Sequence, residues 1–209
     1  MTESTVKSPK SEWMTTNRIQ TLIDGIFAIS MTLLVLTLEV PDFTPPITNA
    51  TIYEYLISLI PKFYVYGLSF LLLAVFWRVN HHHFHFIKKA NIQLLWINVV
   101  WLMFVALVPF STTLIGEYGH LLYATLFFHI NLFFIAFFSS LNWFYAYKKG
   151  LTSMKYTSLT FRRHLGRNLI FPLTAVLAII VSFLNPTASS LVYLFIPLFK
   201  KIDKSLLQN

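Results

Sequence analysis

Residues 18–41 read RIQTLIDGIFAISMTLLVLTLEVP, and this stretch is the most informative one for the class of fold. No charged residue lies between Asp24 and Glu39, and a helix of roughly 20 mostly apolar residues crosses the hydrocarbon core of a bilayer. The run over 20–40 therefore predicts a membrane-spanning helix. Because a buried carboxylate is costly in a membrane, Asp24 near one end of the helix indicates either function or a polar network.

The composition of the whole chain agrees with a membrane location. Of 209 residues, 56% are hydrophobic and 11% are charged, whereas soluble domains carry about 25% charged residues. This excludes an ordinary soluble domain. We predict an all-α polytopic membrane protein with a tail at 1–16 and a single-repeat, six-helix domain at 17–209. The six spans are predicted at 20–40, 56–79, 92–115, 120–146, 168–185 and 187–199, with loose boundaries for the short sixth one.

The basic residues predict the orientation, because lysine and arginine stay on the cytoplasmic side of a membrane protein. With the N-terminus inside, fifteen of the sixteen basic residues fall on the inner segments, and Lys62 is the exception. The outer loops and their flanks carry the acidic residues Glu39, Asp42, Glu54 and Glu117. We therefore expect a multi-pass protein of the cell membrane with both termini in the cytoplasm. Anionic lipid explains the basic stretch 148–167 better than nucleic acid does.

The chain offers little for catalysis or for metal binding. It has no cysteine, which excludes disulfides, thiolate metal sites and cysteine nucleophiles. His81, His82, His83 and His85 form a group that suits a metal, but no acidic residue lies beside them in the sequence. Solvated histidines and a polar network between helices are the alternatives, and we predict no cofactor and no metal. The other polar residues are too scattered for an intramembrane enzyme.

One face of the first predicted helix is a continuous stripe. At 100° per residue, the following side chains lie within about 40° of one line: Leu22, Gly25, Ile29, Leu33, Leu36 and Val40. Asp24 points about 140° away from that line, and Arg18 is too far along the helix to pair with it. Each of the two needs a partner on another helix. By itself, the stripe is more typical of ordinary helix packing or lipid contact than of a functional surface.

Three separated motifs resemble one known family. The run from Arg18 to Leu36, with Asp24-Gly-x-Phe-Ala-Ile at its centre, resembles the first helix of prokaryotic homologues of the lysosomal potassium channel called transmembrane protein 175. The family pattern there is Arg-x-x-x-Phe-Ser-Asp, and this chain has Leu22 and Ile23 at the Phe and Ser positions. The stretch 77–84 (WRVNHHHF) is similar to the family's Trp and His cluster, and 94–118 is similar to its third helix.

The resemblance implies a potassium-selective channel with leak-like conduction. Family members lack the Thr-Val-Gly-Tyr-Gly carbonyl filter, and their single-repeat chains assemble as tetramers in which the first helix lines the pore. Carried over to this chain, the constriction consists of apolar rings at Ile29, Leu33 and Leu36 and a hydroxyl layer at Thr32. The expected partners are potassium ions, membrane lipid and other copies of the chain in a homotetramer, with no nucleic acid.

The resemblance also implies a polar network that holds the first helix. In it, Trp77 and either His81 or His82 meet Arg18 and Asp24. The main alternative to a channel is a secondary transporter of a small cation or solute, which usually shows paired repeats or broken helices. No repeat is visible, although Pro109 and Pro172 are possible helix breaks.

Overall fold

Helices make up most of the part that the structure, a computed structural model, describes: residues 15–153 and 158–196. Helix α1 is Thr16–Leu33 and continues as a 3₁₀ turn over Leu34–Thr37. The other helices are α2 Asn49–Ser58, α3 Ile60–Phe86, α4 Ile92–Ala106, α5 Val108–Tyr118, α6 Leu122–Lys148, α7 Ser158–Leu184 and α8 Pro186–Ser189, followed by a 3₁₀ segment Ser190–Phe195. The prediction of an all-α protein is confirmed.

Some sequence-based predictions lie outside the described residues. They are most of the tail at 1–16, the end of the sixth run at 197–199, and the basic residues Lys7, Lys10, Lys155, Lys200, Lys201 and Lys204.

Among the described residues, four helical segments are long and apolar enough to cross a membrane: 16–37, 60–86, 92–118 and 122–148. Residues 168–184 of α7 form a shorter apolar helix. These segments make the chain a multi-pass membrane protein, and the count of six spans stays a prediction.

Several helix boundaries differ from the predicted ones. The run 92–115 is two helices in line, because the chain breaks at Leu107, two residues before Pro109, whose ring cannot follow an uninterrupted turn. The run 56–79 belongs to α2 and to α3, which continues to Phe86 and therefore carries the whole histidine group inside a helix. Helix α7 begins ten residues before the predicted start at 168.

Local sequence explains where the helices begin. The side chain of Thr48 accepts a hydrogen bond from the backbone nitrogen of Thr51 and forms a capping box with it. Asn91 caps α4 by accepting from Leu94, and Asn185 caps α8 by accepting from Ala188. At the end of α6, Gly150 has φ +65°, a conformation that favours glycine and reverses the chain.

Helix α6 lies at the centre of the fold and packs against α4, α5 and α7. Its side chains Phe128 and Trp143 are fully buried, as is Trp101 of α4, whose indole nitrogen donates to the carbonyl of Ile135 at 2.9 Å. Asn98 and Asn142 exchange a pair of amide hydrogen bonds at 3.2 and 2.8 Å, with both side chains fully buried. Hydrogen bonds between helices fix their register in a membrane, where the lipid provides no hydrophobic force that drives one helix against another.

Candidate functional site

Helix α1 lies at the edge of the bundle. Of the four membrane-length segments it is the least buried, with 28% of its apolar window inside the protein compared with 50% for α6. Its buried residues recur every three or four positions, as one face of a helix requires: Ile19, Ile23, Phe27, Ser30, Leu34 and Thr37. Phe27 anchors this face, with its ring 5.3 Å from that of Trp101 in α4.

The stripe identified in the sequence lies about 110° around α1 from this buried face. Ile29, Leu33 and Leu36 are 56%, 42% and 65% exposed. Leu22, Gly25 and Val40 are exposed as well, so the whole predicted stripe lies on the surface of the single chain. An apolar surface of this kind requires either lipid or other protein chains against it.

Thr32 lies on the same exposed face, between Ile29 and Leu33 in sequence. Its hydroxyl donates to the carbonyls of Ala28 and Ile29, at 3.0 and 2.8 Å. Because the hydroxyl hydrogen is directed back into the helix, the oxygen lone pairs remain to accept a hydrogen bond or to contact a cation. The Thr32 hydroxyl therefore presents its oxygen, and not its hydrogen, on the exposed face of α1.

The C-terminal end of the stripe has a tighter helical geometry than the rest of α1. Leu34–Thr37 is a 3₁₀ turn, in which residues three apart lie one above the other and the rise is about 2.0 Å per residue. Leu33 and Leu36 are therefore aligned along the helix axis, and the distance from Ile29 to Leu36 along it is about 12 Å. Beyond the turn, the Tyr55 hydroxyl donates to the backbone carbonyl of Glu39 and ties this end of α1 to α2.

The N-terminal half of α1 is bonded to α3. The indole nitrogen of Trp77 donates to a carboxylate oxygen of Asp24 at 2.8 Å. Asp24 is therefore a hydrogen-bond acceptor between helices, away from the stripe. Four residues along α3, His81 packs its ring 5.8 Å from the indole and its Nδ1 lies 3.0 Å from the amide nitrogen of Gln20. Two bonds thus connect these helix ends.

The predicted network also includes Arg18 and His82. Arg18 is exposed on the first turn of α1, where its backbone nitrogen bonds to the Thr15 side chain. His82 points toward another part of α3, with its ring edge against Phe86, and lines a cavity between α3, α6 and α7. The structure therefore brings together Asp24 with Trp77 and His81 with Gln20, in two adjacent contacts.

Gln20 makes a contact between α1 and α3 that the sequence did not reveal. A glutamine in the first turns of a membrane helix is unremarkable by type, and its partner is 61 positions away. The signal that was available is spacing: Gln20 and Asp24 are four residues apart, as are Trp77 and His81, so the two pairs lie on facing sides of two helices.

The histidines of α3 do not converge with other ligand types. Within residues 15–153 and 158–196, no three His, Cys, Asp or Glu side chains are grouped as a metal site requires. His83 is buried and stacks on Trp143 at 4.7 Å. His81, His82 and His83 therefore face three different neighbours.

Comparison with known proteins finds similarity in both sequence and structure. The family model described as endosomal/lysosomal potassium channel TMEM175 matches residues 18–109. A protein from Chryseobacterium sp. (strain P1-3) named a potassium channel is 34% identical over 103 residues, which is 49% of this chain and 50% of that protein. Another from Chamaesiphon minutus, also named a potassium channel, is 38% identical over 104 residues, 49% of this chain and 50% of that one. The chain thus spans about half the length of the curated relatives it matches.

The fold extends the likeness beyond the aligned segment. The crystal structure of a lysosomal potassium-selective channel TMEM175 homolog from Chamaesiphon minutus superposes with a TM-score of 0.76 and 27% identity. The match covers 90% of this chain and 97% of the other. The likeness therefore includes the helices after residue 109, where the family model no longer matches.

Proposed function

We propose that the chain is a member of the TMEM175 family and forms a potassium-selective ion channel in the cell membrane, and its likeness to named potassium channels supports this. Four copies surround a central axis with α1 of each copy facing it. The chain crosses the membrane six times, with α4 and α5 acting as one crossing, and both termini are cytoplasmic. The observation that carries the proposal is the exposed stripe of α1, on the least buried of the membrane-length helices.

The stripe supplies a constriction without carbonyl groups. Ile29, Leu33 and Leu36 from four chains form apolar rings along about 12 Å of the axis. An ion that enters such a ring loses water and gains no ligand in return, so the ring favours the ion that gives up water at the lower free-energy cost. Potassium is larger than sodium and holds its water less tightly, which favours potassium.

Thr32 supports the partly dehydrated ion. Its hydroxyl oxygen faces away from the helix, since the hydrogen is held by the Ala28 and Ile29 carbonyls. Four such oxygens form one polar layer between apolar ones. Polar and apolar layers in alternation keep a cation in the pore without binding it so tightly that conduction stops.

The polar network at the inner end positions α1. Trp77 and His81 of α3 hold Asp24 and Gln20 of α1, and Arg18 lies six residues before Asp24. These contacts set the rotation of α1 about its own axis. A rotation of one residue, 100°, would replace the stripe with different side chains, so the network determines which residues face the pore.

A flux assay tests the proposal. The purified protein is reconstituted in liposomes, and potassium uptake is compared with sodium uptake. We expect potassium flux to exceed sodium flux, and Leu36→Ala to change the ratio several-fold because it widens one ring. The matched control is Leu71→Ala, the same substitution at an α3 position that is also 65% exposed, which should leave the ratio unchanged. No cation flux, or equal effects of the two substitutions, would contradict the proposal.

Secondary transport is the alternative, and one observation favours it: the break between α4 and α5 at Leu107. Transporters often use broken helices whose free backbone groups bind the substrate. Here the neighbouring hydroxyls are used inside the protein, since Ser111 donates to the Val108 carbonyl and Thr112 to Ser69. Single-channel recording distinguishes the two, because a channel passes far more ions per second than a carrier.

A further inference from the structure

A cavity between α3, α6 and α7 takes no part in the proposed pore. Its volume is about 360 Å³, within the range of roughly 300–1,000 Å³ that is typical of ligand sites. The floor is apolar and includes Phe76 and Phe171, whose rings are 5.0 Å apart. Arg78 on its wall follows Trp77 directly and is turned by 100° from it, away from α1.

The wall of the cavity is polar, and its donors come from all three helices. They are Arg78 of α3, Ser139 of α6 and Asn168 of α7, with His82 beside them. No carboxylate lines the cavity, and in the described part of the chain Arg78 has no ion-pair partner. The wall is therefore cationic.

Two of these side chains have hydrogen-bond donors that can bind a ligand. Ser139 is 5% exposed, and its hydroxyl makes no hydrogen bond to any described residue. The Oδ1 atom of Asn168 accepts from Nε2 of His83 at 3.3 Å, which leaves the Asn168 amide nitrogen as a donor. A buried hydroxyl, an amide nitrogen and a guanidinium that share one cavity match the acceptor oxygens of a phosphate group.

The depth of the cavity indicates where that phosphate comes from. Arg78 lies eight residues before the end of α3 and Ser139 nine before the end of α6, so both are about 12–14 Å from the helix ends. Each of these helices is about 40 Å long and extends through the headgroup layers. The long Arg78 side chain reaches the boundary between headgroups and hydrocarbon, while the phenyl rings lie deeper.

We propose that this cavity binds the phosphate of an anionic phospholipid from the cytoplasmic leaflet. Arg78, Ser139 and Asn168 hold the phosphate oxygens, and the glycerol and first acyl carbons lie over Phe76 and Phe171. The cytoplasmic leaflet is the one that carries anionic lipid in quantity. The assignment rests on the proposed orientation of the chain and is independent of conduction. A bound lipid would join α3, which carries Trp77, to α6 and α7.

Native mass spectrometry of the full chain in neutral detergent tests this proposal. Phosphatidylglycerol and phosphatidylcholine with the same acyl chains are titrated separately, and glycerol 3-phosphate serves as the soluble phosphate. We expect phosphatidylglycerol to bind about fivefold or more tightly than phosphatidylcholine, and glycerol 3-phosphate to bind far more weakly than either. Equal affinity for the two lipids would overturn the proposal. Binding of glycerol 3-phosphate as tight as that of the anionic lipid would overturn the lipid assignment in favour of a free anion.

Three variants connect the binding to the cavity. Arg78→Gln should weaken phosphatidylglycerol binding about fivefold or more, and Ser139→Ala should weaken it about two- to fivefold. Lys88→Gln removes an exposed charge from the same side of the protein outside the cavity and should change the affinity less than twofold. Equal effects of Arg78→Gln and Lys88→Gln would show that the attraction is diffuse and would overturn the proposal. If Arg78→Gln does not fold, Ser139→Ala gives the same test against Lys88→Gln.

Discussion

The bond from Trp77 to Asp24 is the contact through which α3 holds α1, and Trp77→Phe removes it with little other change. Phenylalanine keeps an aromatic ring on α3 but has no N–H group. The lost bond is 2.8 Å long and has a carboxylate as its acceptor. Bonds to charged groups contribute about 1.5–3 kcal/mol, and the exposure of Trp77, 41%, reduces this toward about 1 kcal/mol. A free energy of about 1 kcal/mol changes the unfolding equilibrium about fivefold.

The assay is reversible unfolding in mixed micelles, with the free energy of unfolding measured for each variant. The control is Trp96→Phe, which removes the same N–H group from α4 at a position with 60% exposure and no hydrogen bond to a described residue. Trp77→Phe should cost about 1 kcal/mol more than Trp96→Phe. Asp24→Asn should cost less than Trp77→Phe, because the amide oxygen still accepts the bond.

The effects of Trp77→Phe and Asp24→Asn on the free energy of unfolding should not be additive. In the double variant of Trp77→Phe and Asp24→Asn, the second substitution should add little, because the bond is already absent. If Trp77→Phe and Trp96→Phe destabilise the protein equally, or if the two substitutions at the bond add fully, then Trp77 does not hold α1 through Asp24.

Two further predictions concern contacts between the other helices. Asn98→Leu and Asn142→Leu should each lower the free energy of unfolding by about 1–3 kcal/mol, because either one leaves a buried amide unpaired. The double variant should cost about 1.2 kcal/mol less than the sum of the two, since it removes two bonds of about 0.6 kcal/mol each. A double-mutant cycle of unfolding free energies without this coupling would contradict the prediction. Lys62 and Glu117 form a partly exposed ion pair between α3 and α5. Glu117→Gln should therefore lower the free energy of unfolding by less than about 1 kcal/mol, and thermal unfolding in 1 M salt should show a smaller effect. A large effect that salt does not change would show that the pair is not exposed to solvent.

Within a single helix, periodicity predicts which side chains of α1 share a face, but not what that face contacts. The residues of the stripe from Leu22 to Val40 share one face, which is exposed in the single chain, and Asp24 bonds to another helix as its angle predicted. Both conclusions need only the geometry of an α-helix. For the same reason the break near Pro109 could be foreseen as a possible break, although the predicted span ignored it.

Contacts between distant helices could not be predicted in the same way. The bonds of Gln20 to His81 and of Asn98 to Asn142 join residues 61 and 44 positions apart, and nothing in a single sequence selects one polar residue over another as the partner. The placement of His82 is a clear case, since His81 and His82 are adjacent in sequence and lie on different sides of α3. A helix turns by 100° per residue, so a decision between neighbours requires the rotation of the helix in the bundle.

The central claim is that the exposed stripe of α1 faces the ion pathway, and the lack of cysteine in this chain allows a direct test. Leu36→Cys and Leu71→Cys are reconstituted separately, and potassium flux is measured before and after a cationic thiosulfonate reagent is added. The reagent should block potassium flux through Leu36→Cys, because four modified side chains would fill one apolar ring. It should leave flux through Leu71→Cys unchanged. Block at Leu71→Cys, or unchanged flux through a fully modified Leu36→Cys, would contradict the central claim.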